Sequence, residues 1–115
     1  MNEHDVFVEA GCPAPVVRAV IEAELGAAFR PGEGTEPAAV LATGSTMVFF
    51  YDSHPFEDDV DFPVTLYRYW VNIRDTVRNT ERQLVIARRV FDAVTAGGWP
   101  AMLSYGTQGN LAISP

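Results

Sequence analysis

Lysine is absent from this 115-residue chain, and all eight basic residues are arginine. Against them stand 15 Asp and Glu residues, giving a formal charge of −7. Nucleic-acid binding is therefore disfavoured, because neutralising a phosphate backbone needs clustered basic side chains and this field opposes it. Cysteine is almost absent as well. The single residue, Cys12, excludes an internal disulfide framework and the usual multi-cysteine zinc site. Long apolar runs are missing: Thr46 to Tyr51 is far shorter than the roughly 18 to 20 residues a membrane helix needs, so no membrane span is expected. Glu3, His4 and Asp5 stand where a secretory leader would carry basic residues, and no apolar segment with a cleavage site follows, so a cytoplasmic protein is expected. G-x-S-x-G, H-E-x-x-H, the phosphate loop and the dinucleotide fingerprint are all lacking, and Gly32-Glu33-Gly34 is a lone glycine pair. The common acyl-transfer, zinc-hydrolase and nucleotide chemistries thus have no support, and neither a cofactor, a resident metal nor a catalytic residue is expected.

What is present fits one domain spanning residues 1–115: 48% apolar residues with 20% charged lies in the globular range, far from the composition of disordered chains. Val6, Val8 and Ala10 alternate with Phe7 and Glu9, the period of two that marks a half-buried strand. After Gly11-Cys12-Pro13, Pro15 suits the first turn of a helix, and Val17, Val20, Ile21, Leu25 and Ala28 form one apolar stripe. A breaker-rich loop from Pro31 to Pro37 leads into Ala38 to Asp52, where Thr46 to Tyr51 is the strongest strand signal. Gly44-Ser45 is either a bulge in one long strand or a hairpin turn, the bulge being slightly favoured.

Past an acidic loop and Phe62-Pro63, alternation resumes. Tyr67, Tyr69, Val71 and Ile73 read as core, with Leu66, Arg68, Trp70, Asn72 and Arg74 facing the other way. Thr80-Glu81-Arg82-Gln83 has the form of a capping box with Thr80 as N-cap, ahead of Leu84, Ala87, Val90, Phe91 and Val94. Gly97-Gly98 ends that helix, Trp99 to Tyr105 supplies a last strand, and the pairing of the tail Leu111 to Ile113 is left open. The order predicts an α+β fold, a ferredoxin-like β-α-β-β-α-β two-layer sandwich with both helices on one face of an antiparallel sheet.

Three constellations could carry chemistry. Asp52, Glu57, Asp58, Asp59 and Asp61 with His54 offer hard donors, but the calcium-loop spacing is absent and a solvated acidic loop is the plainer expectation. Cys12 precedes a helix that could lower its thiol pKa, yet no C-x-x-C or paired histidine accompanies it, and a packed apolar cysteine is expected. The helix-free sheet face would carry Arg68, Trp70, Asn72 and Arg74 beside Met47, Phe49 and Tyr51 or their alternates; these residue types dominate interface energetics. Aromatic residues on a sheet also suit single-stranded RNA, but the K/R-G-F/Y signature is lacking. That face is covered by the protein's own loops, by a second copy in a homodimer, or by a different partner.

The stretch from Phe50 to Asp75, with His54, Glu57-Asp58-Asp59, Phe62-Pro63, Tyr67 to Val71 and Arg74-Asp75, resembles a segment of small uncharacterised α/β proteins of high-GC actinomycetes. As a small acidic α/β domain without catalytic motifs, the chain also resembles bacterial toxin-immunity proteins in size, charge and fold. This resemblance implies a non-enzymatic protein-binding domain, an immunity, antitoxin or regulatory protein whose partner could be a toxin. Glu57, Asp58, Asp59 and Asp61 would steer a basic partner, while Arg68, Trp70, Asn72 and Arg74 anchor it. The alternative is a small enzyme or ligand-binding homodimer with a pocket using Tyr67, Arg68, Trp70, His54 and Asp52. Charge is divided along the chain: residues 1–61 hold twelve of the acids and only two arginines.

Overall fold

A computed structural model describes residues 3–32, 39–53, 67–105 and 110–114. In chain order the elements are β1 (His4–Val8), α1 (Ala14–Leu25), β2 (Arg30–Pro31), β3 (Ala39–Thr43), β4 (Thr46–Tyr51), β5 (Tyr69–Asp75), α2 (Thr80–Ala96), β6 (Ala101–Tyr105) and β7 (Asn110–Ser114). All strands join one antiparallel sheet in the order β2-β3-β4-β5-β1-β6-β7. The fold is thus α+β with an antiparallel sheet. Its order differs from that of a four-stranded sandwich, because strands are added at both edges. Among the described residues no helix is long and apolar enough to cross a membrane.

Local chemistry explains most boundaries. Pro13 sits at the N-cap of α1 with Pro15 in its first turn, where a missing N–H costs nothing. Gly26, at φ 68°, ends the helix in the left-handed conformation and donates its N–H to Glu22 O. Val17, Ile21 and Leu25 are buried as the stripe predicts, whereas Ala28 falls beyond the helix and is exposed.

Gly44-Ser45 proves to be a turn and not a bulge: Thr43 pairs with Thr46, so two residues connect β3 and β4. Only Gly44 of the two has a positive φ (59°), the requirement of a type II′ turn, whose twist matches that of the strands it joins. The tail question is also answered, since β7 pairs with β6 through Ile113 and Met102, with a bulge at Leu103/Ser104. At the opposite edge Pro31, which cannot donate to a ladder, occupies β2.

Helix α2 departs from expectation at its start. Asn79, not Thr80, is the N-cap, and its side chain accepts the Arg82 N–H at 3.0 Å. The buried stripe is Gln83, Ile86, Ala87, Val90, Phe91 and Val94, so Leu84 turns outward to 39% exposure and a glutamine takes an interior position. That glutamine is recruited by polar groups of other strands. Its Oε1 accepts the Asp75 N–H at 3.0 Å, and its Nε2 lies 2.7 Å from Nδ1 of buried His4.

Asp75, buried at the end of β5, gathers the surrounding chain. Its Oδ2 accepts from Ser45 Oγ (3.0 Å), Thr46 Oγ1 (2.9 Å) and Arg82 Nε (2.7 Å), while Oδ1 accepts from Val77 N, Asn79 N and Arg82 Nη2. Hydrogen bonds from Arg82, outweighing burial, hold this carboxyl far below the usual carboxylate range, aided by Asn79, Thr46 and Val77. One side chain thereby ties the β3–β4 turn, β5 and α2 together.

The two helices cover one face of the sheet. Val6, Val8, Leu41, Val48, Phe50, Tyr69, Val71, Ile73 and Leu103 meet the helix stripes there in one continuous core. Fully burying an aliphatic or aromatic side chain of this kind contributes about 1.5–3 kcal/mol, which makes the core the main source of stability. The register places Asp5, Phe7, Met47, Phe49, Tyr51, Trp70, Asn72, Arg74 and Met102 on the opposite face.

Candidate protein-interaction face

The helix-free face is built around adjacent residues of β1, β4 and β5. Cross-strand pairing sets Asp5 opposite Asn72, Phe7 opposite Trp70, Tyr51 opposite Trp70, Phe49 opposite Asn72 and Met47 opposite Arg74. The Tyr51 and Trp70 rings stack with centroids 4.1 Å apart and planes 16° from parallel. Beside them the Arg74 guanidinium lies 4.9 Å from the centroid of Phe49. An aromatic pair and a cation–π pair therefore sit side by side, with all four side chains partly exposed.

Two acids fix this arrangement, Asp5 from β1 and Glu3 from the residue just before it. Trp70 Nε1 and Asn72 Nδ2 each donate to Asp5 Oδ1 at 2.8 Å. Glu3 pairs with Arg74, and Arg74 Nη2 reaches Asn72 Oδ1 at 3.4 Å. Burial raises the Asp5 pKa, and the Glu3 charge adds to that; the hydrogen bonds from Trp70 and Asn72 and the charge of Arg74 pull the other way without reversing it. The Trp70 ring cannot swing freely, because its indole N–H is anchored at one end and its face is stacked on Tyr51. A preset anchor of this kind loses little conformational entropy on binding.

The expected partner-binding residues divide. Trp70 and Arg74 belong to this face and are partly exposed. Asn72 lies on it but is 2% exposed, so it supports its neighbours and offers little surface of its own. Arg68 is not with them: it is exposed, and its guanidinium stands 5.0 Å from the ring of Tyr69, a core residue. The cause is that β5 begins at Tyr69, so strict alternation does not extend to residues 67 and 68. For the same reason Tyr67, expected among the helix-side residues, is buried instead with Phe7 and Met102 on the helix-free side. Glu57, Asp58, Asp59, Asp61 and His54 lie outside the described residues.

Asp52 is separated from Trp70 as well. Its carboxylate stands 3.6 Å from Arg18 of α1, while His54, the other loop residue of the alternative pocket with Tyr67, Arg68 and Trp70, lies outside the described residues. Cys12 is a free, partly buried thiol packed against the core, and its carbonyl accepts the Tyr69 hydroxyl at 2.7 Å. Among the described residues no three carboxylate, histidine or thiol side chains cluster as metal ligands would.

No protein-family model, curated protein or solved structure matches the chain. The site must be argued from its own geometry. Asp5 and Glu3 escaped sequence analysis because, with His4, they read only as acidic residues standing where a leader would be basic. The signal that could have found them is the parity of β1, which sets Asp5 on the side opposite Val6 and Val8, together with a central position for that strand.

Proposed function

We propose that this chain is a non-enzymatic protein-binding domain of the immunity, antitoxin or regulatory kind, and that its recognition surface is the helix-free face at Phe49, Tyr51, Trp70 and Arg74. The observation that carries this reading is the anchored Trp70. Its ring is stacked, its N–H is bonded, and it stands among the residue types that contribute most to protein interfaces. We read the inner order β4-β5-β1-β6 as a ferredoxin-like core to which β2, β3 and β7 have been added. A protein toxin with a basic surface is the partner this acidic chain would attract.

The test is affinity capture from the native host with the wild-type chain and Trp70→Ala immobilised in parallel. A protein retained by the first and lost from the second supports the reading. Recovery of the chain alone, or equal retention by both, would count against it. A second reading rests on the raised pKa of Asp5 at the centre of the face, which suits proton transfer in a small ligand-binding enzyme. It requires Asp5→Asn to abolish a turnover that Trp70→Ala only weakens.

A further inference from the structure

The helix side carries a separate cavity of about 350 Å³, bounded by residues from α1, the α1–β2 loop, β2 and β3. Its lining includes Pro15, Arg18, Glu22, Phe29, Arg30 and Pro31. Residues 1–61 contain twelve acids and only two basic residues, Arg18 and Arg30. Both line this one cavity, although they come from different elements separated by a helix end and a loop. In so acidic a stretch, the convergence of its only cations is what gives the cavity a ligand preference.

We propose that this cavity binds a small organic oxyanion, a carboxylate or a phosphate ester, through Arg18 and Arg30. Arg18 is positioned from behind: its guanidinium stands 5.4 Å from the ring centroid of buried Phe50, while its side chain keeps 25% exposure. Among the described residues Arg18 is ion-paired with Asp52, which is 3.6 Å away and 58% exposed, a separation and exposure at which an ion pair contributes little. Among the described residues no carboxylate pairs with Arg30.

Glu22 is the one acid in the lining, and it is engaged. Its Oε2 accepts the Phe29 N–H at 2.7 Å and closes the loop after α1. Two arginines therefore line the cavity against one carboxylate, which is committed to the backbone. Pro15 and Pro31 have no N–H to offer, so they and the Phe29 ring supply rigid apolar wall, while directional recognition falls to the arginines. An anionic head on a compact apolar body fits this division, and the volume lies at the lower end of small-ligand sites, roughly 300–1,000 Å³.

The experiment is a ¹H–¹⁵N NMR titration of the full chain with sodium benzoate, sodium phosphate and sodium phenyl phosphate, using sodium chloride at matched ionic strength as control. Saturable shifts of the Phe29 and Arg30 amides and of Arg18 Nε–H are expected with at least one oxyanion. Benzoate or phosphate acting alone would identify the head group, and phenyl phosphate acting more strongly than phosphate would place the apolar body. Arg18→Gln and Arg30→Gln should each weaken binding about tenfold, the loss of one charge-assisted contact. Arg30 is exposed and lies on a two-residue edge strand, so its variant tests the proposal even if Arg18→Gln does not fold. Shifts reproduced by chloride, no saturation with any oxyanion, or unchanged affinity in Arg30→Gln would overturn it.

Discussion

Asp75 and Asp5 are carboxylates shifted in opposite directions, and the difference separates a structural acid from one at a candidate site. Asp75 accepts from donors on the β3–β4 turn, the β5–α2 loop and α2, so its charge is matched and its bonds are internal. Asp5 accepts two donors on one oxygen, from side chains that themselves form the presented face. Neither role is legible from neighbouring residues in sequence. The Gln83–His4 contact, for example, joins positions 79 residues apart, and only the sheet order brings β1 beside the start of α2. That contact also fixes a protonation state. Because Gln83 Oε1 takes the Asp75 N–H, its Nε2 must donate, so His4 Nδ1 accepts and the buried ring is neutral. Burial accordingly lowers the His4 pKa from 6.5. The unfolded chain takes up a proton that the folded one resists, so the His4 contribution is fully present above pH 6.5 and is lost as pH falls toward the folded value. Asp75 acts in the same direction at lower pH, its contribution being lost below its ordinary value of 3.8. The urea midpoint should therefore fall between about pH 7.5 and about pH 5.5. His4→Phe should lower it at both pH values, by removing the Gln83–His4 hydrogen bond, and should shrink the difference between them. The raised Asp5 pKa gives an opposing slope, since its burden grows as pH rises, but it is common to both proteins and cancels in the comparison. An undiminished pH difference in His4→Phe would refute the assignment.

At the level of elements, the strands and helices were legible wherever a residue's own chemistry decides the outcome. The α1 stripe from Val17 to Leu25 and the buried side of β5 follow from spacing, whereas placing Ala28 on the same stripe passes over the stop at Gly26. Misreadings arose where two local signals competed. Thr80 and Asn79 can both cap a helix, and Asn79 wins because Gln83, the other half of the expected capping box, is drawn into the core. Gly44-Ser45 suits a bulge or a turn, and pairing across it decides for the turn. Two substitutions test these accounts by urea denaturation. Gly44→Ala meets no atom within 4 Å, so its cost is purely that of holding alanine at φ 59°, about 1–2 kcal/mol. Gly11→Ala, equally open but without a left-handed φ, should be near neutral or stabilise by about 0.5 kcal/mol through the unfolded chain. Arg78 shows the reverse case, a bulky residue held at φ 60° in the loop between β5 and α2. Arg78→Gly should raise stability by roughly 0.5 kcal/mol, the relief of the left-handed conformation less the added freedom of glycine.

For the whole molecule, charge and the aromatic face make opposite demands on association, and salt distinguishes the partners that could occupy the face. Two copies of a chain carrying −7 repel one another at low ionic strength, so self-association through Trp70 and Tyr51 would strengthen as the Debye length shrinks from about 30 Å at 0.01 M salt to about 8 Å at 0.15 M. A basic partner behaves oppositely: its encounter is accelerated by the acidic field and slows as that field is screened. The immunity reading thus requires sedimentation velocity to show a monomer at both salt levels, and the captured partner's association rate to fall with added salt while its dissociation rate changes little. Trp70→Ala should affect the other half of the kinetics. Removing a half-buried stacked anchor leaves the long-range field untouched, so association should hold and dissociation should accelerate, with a loss of about 2 kcal/mol or more, near 30-fold. A dimer that grows with salt and disappears in Trp70→Ala would instead assign the same face to a second copy of the chain.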